Sequence, residues 1–268
     1  MTQVLLSIGH GYAGRATEAA LGPDWQVLGT SRRPGARILW PDQAAQALAQ
    51  ATHLISWVPP GPQGDPVLPL LQGLPAPNLR WIGYASASSL YGDTDGAWID
   101  ESAPDAPTTD RGRARQRAEA DWQTFATGHK TPLALLRIAG IYGPGRSVLD
   151  GLRAGTAQRI VKPGQVFNRI HVHDLGRIAA ACAQTRLSGP ILLTDAEPAP
   201  QAEVTAHGAR LLNLPVPPDT PFDAATLSPM ALSFYAENKR LRSVRVGPEL
   251  GLTLTYPTYR EGLKALLP

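Results

Sequence analysis

Apolar residues in this chain come in short runs. Residues 4–8, 26–30, 53–58, 79–86 and 133–138 are each apolar-rich and four to eight residues long. Runs of that length bounded by turn residues predict strands. Helical patterns fall between them, at 15–21, 44–50, 66–71 and 113–126. Strands without a polar face predict a parallel sheet covered by helices on both sides. The fold class is therefore α/β, a doubly wound parallel sheet. Beyond Gly143 the alternation becomes irregular and Gly and Pro punctuate the chain. Helical pieces are predicted at 178–183, 201–212 and 233–241. This organisation predicts one unit with two parts. Residues from about 1 to 145 and 168 to 195 are expected to form the sheet core. Residues 146–167 and 196–268 form a small C-terminal substrate lobe.

The first strand runs directly into Gly9-His10-Gly11-Tyr12-Ala13-Gly14, and an Ala-rich helical pattern follows. Three glycines in G-x-G-x-x-G spacing between a strand and a helix are the fingerprint of a Rossmann dinucleotide site. The first allows a tight turn, the second lets backbone approach a pyrophosphate, and the third lets helix and sheet pack closely. Helix N–H groups then face the phosphates. The second strand ends in Thr30-Ser31-Arg32-Arg33, where a cofactor with a free ribose 2′-hydroxyl would meet a carboxylate. Hydroxyls and guanidiniums there suit a 2′-phosphate. NADP is the expected cofactor, with NAD the alternative. The competing reading of Arg32 and Arg33 is a pair of solvated loop charges.

Composition narrows the class further. The 268 residues carry 25 Lys+Arg against 22 Asp+Glu, a net charge of +3. That balance does not mark a nucleic-acid binder. The single cysteine, Cys182, excludes an internal disulfide and reads as a small buried hydrophobe. The apolar start is too short for a signal peptide, and no run reaches membrane-spanning length. A cytoplasmic setting without a membrane partner is expected.

Several segments together resemble the extended short-chain dehydrogenase/reductase family, the NAD-dependent epimerase/dehydratase-like proteins that include nucleotide-sugar epimerases. These are the glycine loop at 9–14, Ser86-Ala87-Ser88-Ser89-Leu90-Tyr91-Gly92, and Arg137-Ile138-Ala139-Gly140-Ile141-Tyr142-Gly143-Pro144-Gly145. Asn168-Arg169-Ile170-His171-Val172-His173-Asp174 and the stretch around Tyr256-Pro257-Thr258-Tyr259 complete the set. The resemblance implies cofactor contacts at Gly9, His10, Gly11, Tyr12, Ala13, Gly14, Ser31, Arg32, Arg33, Val58 and Arg115. It implies substrate contacts at Asn168 and Arg169. Arg111 shares a helical face with Arg115, where it would bind an anionic group of the substrate; the competing reading is a solvated arginine-rich helix paired with Glu119 and Asp121. A small, anionic substrate is the expected partner, and a homodimer is compatible with the pattern.

The family's chemistry rests on a Tyr-x-x-x-Lys pair and a Ser or Thr. With Gly112 and Glu119 as anchors, those positions hold Arg111, Arg115 and Ala87. Arginine stays protonated and cannot serve as the acid/base. Ser88, Tyr91, Tyr142 and His10 are the remaining acid/base candidates. His171 and His173 would share one face of a strand, but no third ligand joins them and no metal is expected. Two functions stay open. One is an NADP-dependent oxidoreductase or epimerase acting by a non-standard route. The other is a non-catalytic NADP(H)-binding sensor or partner-binding protein.

Overall fold

The computed structural model describes residues 2–33, 36–223 and 227–268. In chain order the strands are β1 (Gln3–Ile8), β2 (Trp25–Ser31), β3 (Ile38–Leu39), β4 (His53–Ser56), β5 (Trp81–Ala87), β6 (Trp98–Ile99) and β7 (Leu133–Ile138). They continue with β8 (Gly140–Tyr142), β9 (Arg159–Val161), β10 (Arg169–His171), β11 (Gly189–Leu193), β12 (Asp219–Pro221) and β13 (Arg240–Leu241). The helices are α1 (Tyr12–Ala20), α2 (Ala44–Gln50), α3 (Leu68–Leu71), α4 (Asp110–Gly128) and α5 (Val148–Arg153). After these come α6 (Val172–Thr185), α7 (Gln201–Leu211), α8 (Pro229–Tyr235), α9 (Val246–Leu250) and α10 (Tyr259–Lys264).

Seven strands form one sheet in the order β11-β7-β5-β4-β1-β2-β3, with every neighbouring pair parallel. The doubly wound sheet predicted from the apolar runs is present. Alternate side chains face opposite layers. Leu5, Val27 and Ile55 pack on one side with Leu175, Ile178 and Ala179 of α6. Leu6, Leu28 and Leu54 pack on the other with Leu48 of α2 and Trp122 of α4. The chain adds β2 and β3 on one side of β1, then returns to place β4 on the other. This reversal opens a crevice beyond the carboxyl ends of β1 and β4, where ligands of such sheets bind.

Three parallel pairs lie outside the sheet: β8 with β10, β9 with β12, and β6 with β13. A separate apolar cluster includes Tyr142, Leu149, Leu152, Val204, Tyr259 and Leu263. Two expectations need correction. Residues 233–241 are not one helix: α8 ends at Tyr235, and Arg240–Leu241 is a strand. Ser228 caps α8 by accepting from the Ala231 N–H at 3.2 Å, with Pro229 in the first turn, so the helix starts and stops earlier. Val246, Leu250, Leu252 and Leu254, assigned from sequence to the C-terminal lobe, pack instead on the sheet core beside α6. The two histidines also part company. His171 ends β10, and its Nδ1 accepts from the His173 N–H at 3.2 Å, capping α6.

Cys182 is fully buried, and burial pushes its thiol up to about 12, in keeping with a packing role. The outer edge of β11 is covered by side chains. The Glu101 carboxylate accepts from the N–H groups of Leu192 and Val244, each at 3.0 Å, and Arg245 donates to the carbonyls of Ser188 and Pro190. Among the described residues no helix is long and apolar enough to cross a membrane.

Candidate active site

A cleft of about 1000 Å³ opens over the carboxyl ends of the strands, bounded by Gly9, Trp57, Ser86, Ile138 and, across from them, Val204 and Tyr259. The glycine loop forms one wall. Gly9 has a φ of 72°, a left-handed conformation that favours glycine, and a Cβ there would lie 2.8 Å from Val58 Cγ2. Its N–H donates to Thr30 Oγ1 at 3.0 Å, fixing the loop to the end of β2. Gly14 is buried against Ser7, His10 and Trp57, which brings α1 close to the sheet. At Gly11 an added Cβ would meet only the Gly9 carbonyl, at 3.7 Å, so the crest of the loop borders open space. Helix α1 starts there with no side-chain cap and no acidic residue in its first turn.

The loop residues therefore divide. Tyr12 and Ala13 line the cleft with Gly9. His10 does not. Its ring packs over Gly29, Nδ1 bonds Ser7 Oγ at 2.9 Å, and Nε2 bonds Glu18 at 3.0 Å. Burial lowers its pKa, against the pull of Glu18. An acid/base role for His10 is corrected on that geometry. Val58 likewise packs under Gly9 and stays outside the cleft lining. Ser31 Oγ accepts from the Arg33 N–H at 3.1 Å, forming the turn after β2. Arg32 and Arg33 are exposed, and their guanidiniums have no partner among the described residues.

At the positions the family pattern singles out, Ala87, Arg111 and Arg115 all face the cleft. Arg115 Nη1 donates to the Ala85 carbonyl at 2.6 Å and to the Tyr84 hydroxyl at 3.2 Å. Burial pushes Tyr84 up to about 12 while Arg115 pulls the other way. Arg111 lies nearer the mouth, with its Nη1 3.3 Å from Ser233 Oγ and its guanidinium 4.8 Å from the centre of the Phe234 ring. Ser88 lines the cleft. Tyr91 does not: it is 2% exposed and stacks under the Arg137 guanidinium at 4.8 Å. Tyr142 reaches the cleft, but its hydroxyl donates to the Thr258 carbonyl at 3.4 Å, and burial drives its pKa far above the ordinary phenol range.

Asn168 and Arg169 line the cleft with their polar atoms already committed. Asn168 donates to the Lys239 carbonyl at 2.9 Å and accepts from the Leu241 N–H at 2.8 Å. Arg169 donates to Phe167 O, Ala199 O and Gln201 Oε1 at 2.8 to 3.0 Å. Both hold the wall in place. Sequence reading missed the charged pair beside them. Lys239 is 6% exposed; its ammonium bonds Glu237 at 2.6 Å and also the Gly92 carbonyl. Glu237 accepts in turn from the hydroxyls of Thr108 and Thr109 at 3.0 and 3.3 Å. Glu237 and Lys239 are two residues apart, but the Gly92 carbonyl and the Thr108 and Thr109 hydroxyls that seat them come from far along the chain, so no local pattern signals their place.

With this geometry in place, relatives can be compared. No family model matches the chain. A conserved protein of unknown function from Silicibacter pomeroyi DSS aligns with a TM-score of 0.88 and 45% identity, covering 99% of this chain and 98% of its own. The chain belongs to that protein's family. The human epimerase family protein SDR39U1, solved with NADPH, aligns with a TM-score of 0.78 and 21% identity over 98% of both chains, a likeness of fold. A 3-diazoavenalumate denitrifying reductase from a Streptomyces species is 32% identical over 188 residues, 62% of this chain. That match spans 58% of the reductase's own length.

Proposed function

We propose that the chain binds NADP(H) and acts as a reductase or epimerase of the extended short-chain dehydrogenase/reductase type on a small anionic substrate. One arrangement carries this reading: an uncapped helix start and open glycine crest at the topological switch point, with two partnerless arginines and no carboxylate at the end of β2. The residues fit the group. The α1 N-terminus offers N–H donors to a pyrophosphate, and Arg32 and Arg33 offer paired donors to a 2′-phosphate. The structural neighbour solved with NADPH and the reductase relative support the same reading.

Bound nicotinamide dinucleotide supplies or accepts a hydride. The chain's own residues do the rest. Arg115, held by Ala85 O and Tyr84, keeps a fixed positive charge on the cleft floor where the family carries lysine. Arg111 at the mouth attracts and orients the anionic end of the substrate, backed by Phe234. Ser88 is the remaining cleft-lining hydroxyl of the candidates, and its oxygen has no hydrogen-bond partner among the described residues; it holds the reacting oxygen of the substrate. Tyr91 and Tyr142 are structural in this scheme.

Calorimetric titration tests the cofactor assignment. The wild-type chain binds NADPH tighter than NADH. Replacing both Arg32→Ala and Arg33→Ala weakens NADPH by roughly tenfold, the scale of one lost charge-assisted phosphate contact, and leaves NADH unchanged. Equal wild-type affinity for the two cofactors would overturn the NADP assignment. The absence of binding to either would overturn the whole reading.

A further inference from the structure

Beyond β8 the chain makes a tight turn, with reciprocal backbone hydrogen bonds between Gly143 and Arg146 at 3.0 and 3.1 Å. This turn leans on the glycine loop. The Tyr12 hydroxyl donates to the Pro144 carbonyl at 3.0 Å, and a Cβ on Gly143 would come within 2.6 Å of that hydroxyl. The turn thus closes on the side chain of Tyr12, the first residue of α1, within the lining of the cleft. Arg146 stands at its end. It lines the same cleft as Gly9, Tyr12 and Ala13. It is exposed, and its guanidinium has no ion-pair or hydrogen-bond partner among the described residues. The nearby carboxylate of Asp150 is occupied by the N–H and hydroxyl of Ser147, at 2.7 and 2.9 Å.

We propose that Arg146 clamps the pyrophosphate of the bound dinucleotide from the side opposite the glycine loop. This rests on the cofactor reading above and adds to it a residue that comes from outside the fingerprint. The glycine loop and the α1 backbone supply neutral N–H donors, and the turn adds a guanidinium to them. Burial raises the pKa of Tyr12, and Asp150 adds to this while Arg146 opposes it. The Tyr12 to Pro144 bond is the latch that holds turn and loop at this spacing.

Titration of NADPH, NADH and UDP into wild type, Arg146→Ala and Arg146→Lys decides the matter. The pyrophosphate is common to both cofactors, so Arg146→Ala weakens NADPH and NADH by the same factor, about tenfold. Arg146→Lys, a point charge without the paired donors, restores part of that loss. The unliganded melting temperature does not move, because the side chain has no partner to lose. Unchanged cofactor affinity in Arg146→Ala overturns the clamp while leaving the cofactor reading intact. A loss confined to UDP overturns it too, and reassigns the guanidinium to a substrate diphosphate. If wild type binds neither dinucleotide, both readings fall together.

Discussion

Arg137→Met destabilises the folded chain by about 3–5 kcal/mol, measured by urea unfolding at neutral pH. The guanidinium is 5% exposed, sits at the end of β7, and is held on two sides. Its Nε and Nη2 donate to the two oxygens of Glu119 at 3.2 and 2.8 Å. Asp105 takes Nη1 and Nη2 at 2.7 and 3.0 Å. Tyr91 stacks against its face. Glu119 is itself 5% exposed, so removing the arginine strands a carboxylate in the interior. The cost comes from that stranded charge more than from the lost attraction. Replacing both partners, Arg137→Met with Glu119→Leu, therefore recovers most of the loss. Arg137→Lys falls between, because an ammonium cannot serve two carboxylates in fixed fork geometry. A loss below about 1 kcal/mol for Arg137→Met would show that the site behaves as a surface pair.

Stability peaks near pH 6.5 and falls on both sides. Three buried groups set this profile. Burial lowers His53 to about 4, with Arg186 and Arg80 adding to the effect. Burial lowers His171 to about 4 against the pull of Asp174; its Nδ1 accepts from a backbone N–H, and its Nε2 is buried with no partner. Burial raises Asp195 to about 8 despite Arg169, and its Oδ2 is likewise without a partner. The signs follow from linkage. A histidine depressed in the folded state binds its proton more readily when unfolded, so stability is lost as pH falls from 6.5 towards 4. A raised carboxyl holds its proton in the folded state, so stability is lost as pH rises from its unfolded value towards 8. Below pH 6.5 the histidines, with His10 and His207 also lowered by burial, outweigh the one carboxyl, and stability falls towards pH 4. Above it the loss from Asp195 exceeds the last of the gain from the histidines, whose unfolded-state protons are still leaving, and stability falls by roughly 1 kcal/mol by pH 8. Asp195→Asn keeps an acceptor for the Glu197 N–H and removes the titrating proton, so the alkaline fall disappears and the variant is no less stable at pH 8 than at pH 6.5. An alkaline fall that persists in this variant would rule Asp195 out as its source.

The parts legible from sequence were those set by local pattern. The β1–loop–α1 unit is written in eighteen consecutive residues, Gln3 to Ala20 included, because strand, turn and helix each follow from neighbours. The length and apolarity of the runs at β4, β5 and β7 were enough to predict the parallel sheet. The candidate site was less legible, since proximity to a motif does not fix where a side chain points. Tyr91 belongs to a cleft-forming segment, yet Arg137 and the core hold it inward. Asn168 and Arg169 occupy the expected place, but remote backbone groups take up their hydrogen bonds. The helix expected at 233–241 failed for the same reason: Arg240 and Leu241 pair with Trp98 and Ile99, more than a hundred residues earlier. Lys239 and Arg146 look alike in sequence, each a cation beside glycine or asparagine. Only the fold makes one a buried brace and leaves the other free.

The covering of β11 bears on how this protein stays dispersed. An edge strand of a large sheet offers its backbone as a template for a strand from another copy, the first step towards fibrous aggregates. Here the Leu192 N–H is taken by Glu101, and the carbonyls of Ser188 and Pro190 are taken by Arg245. A second copy could add to that edge only by displacing a buried carboxylate and a guanidinium that is itself paired to Glu249. The residues that fasten the C-terminal segment to the sheet thus also close it to its own kind.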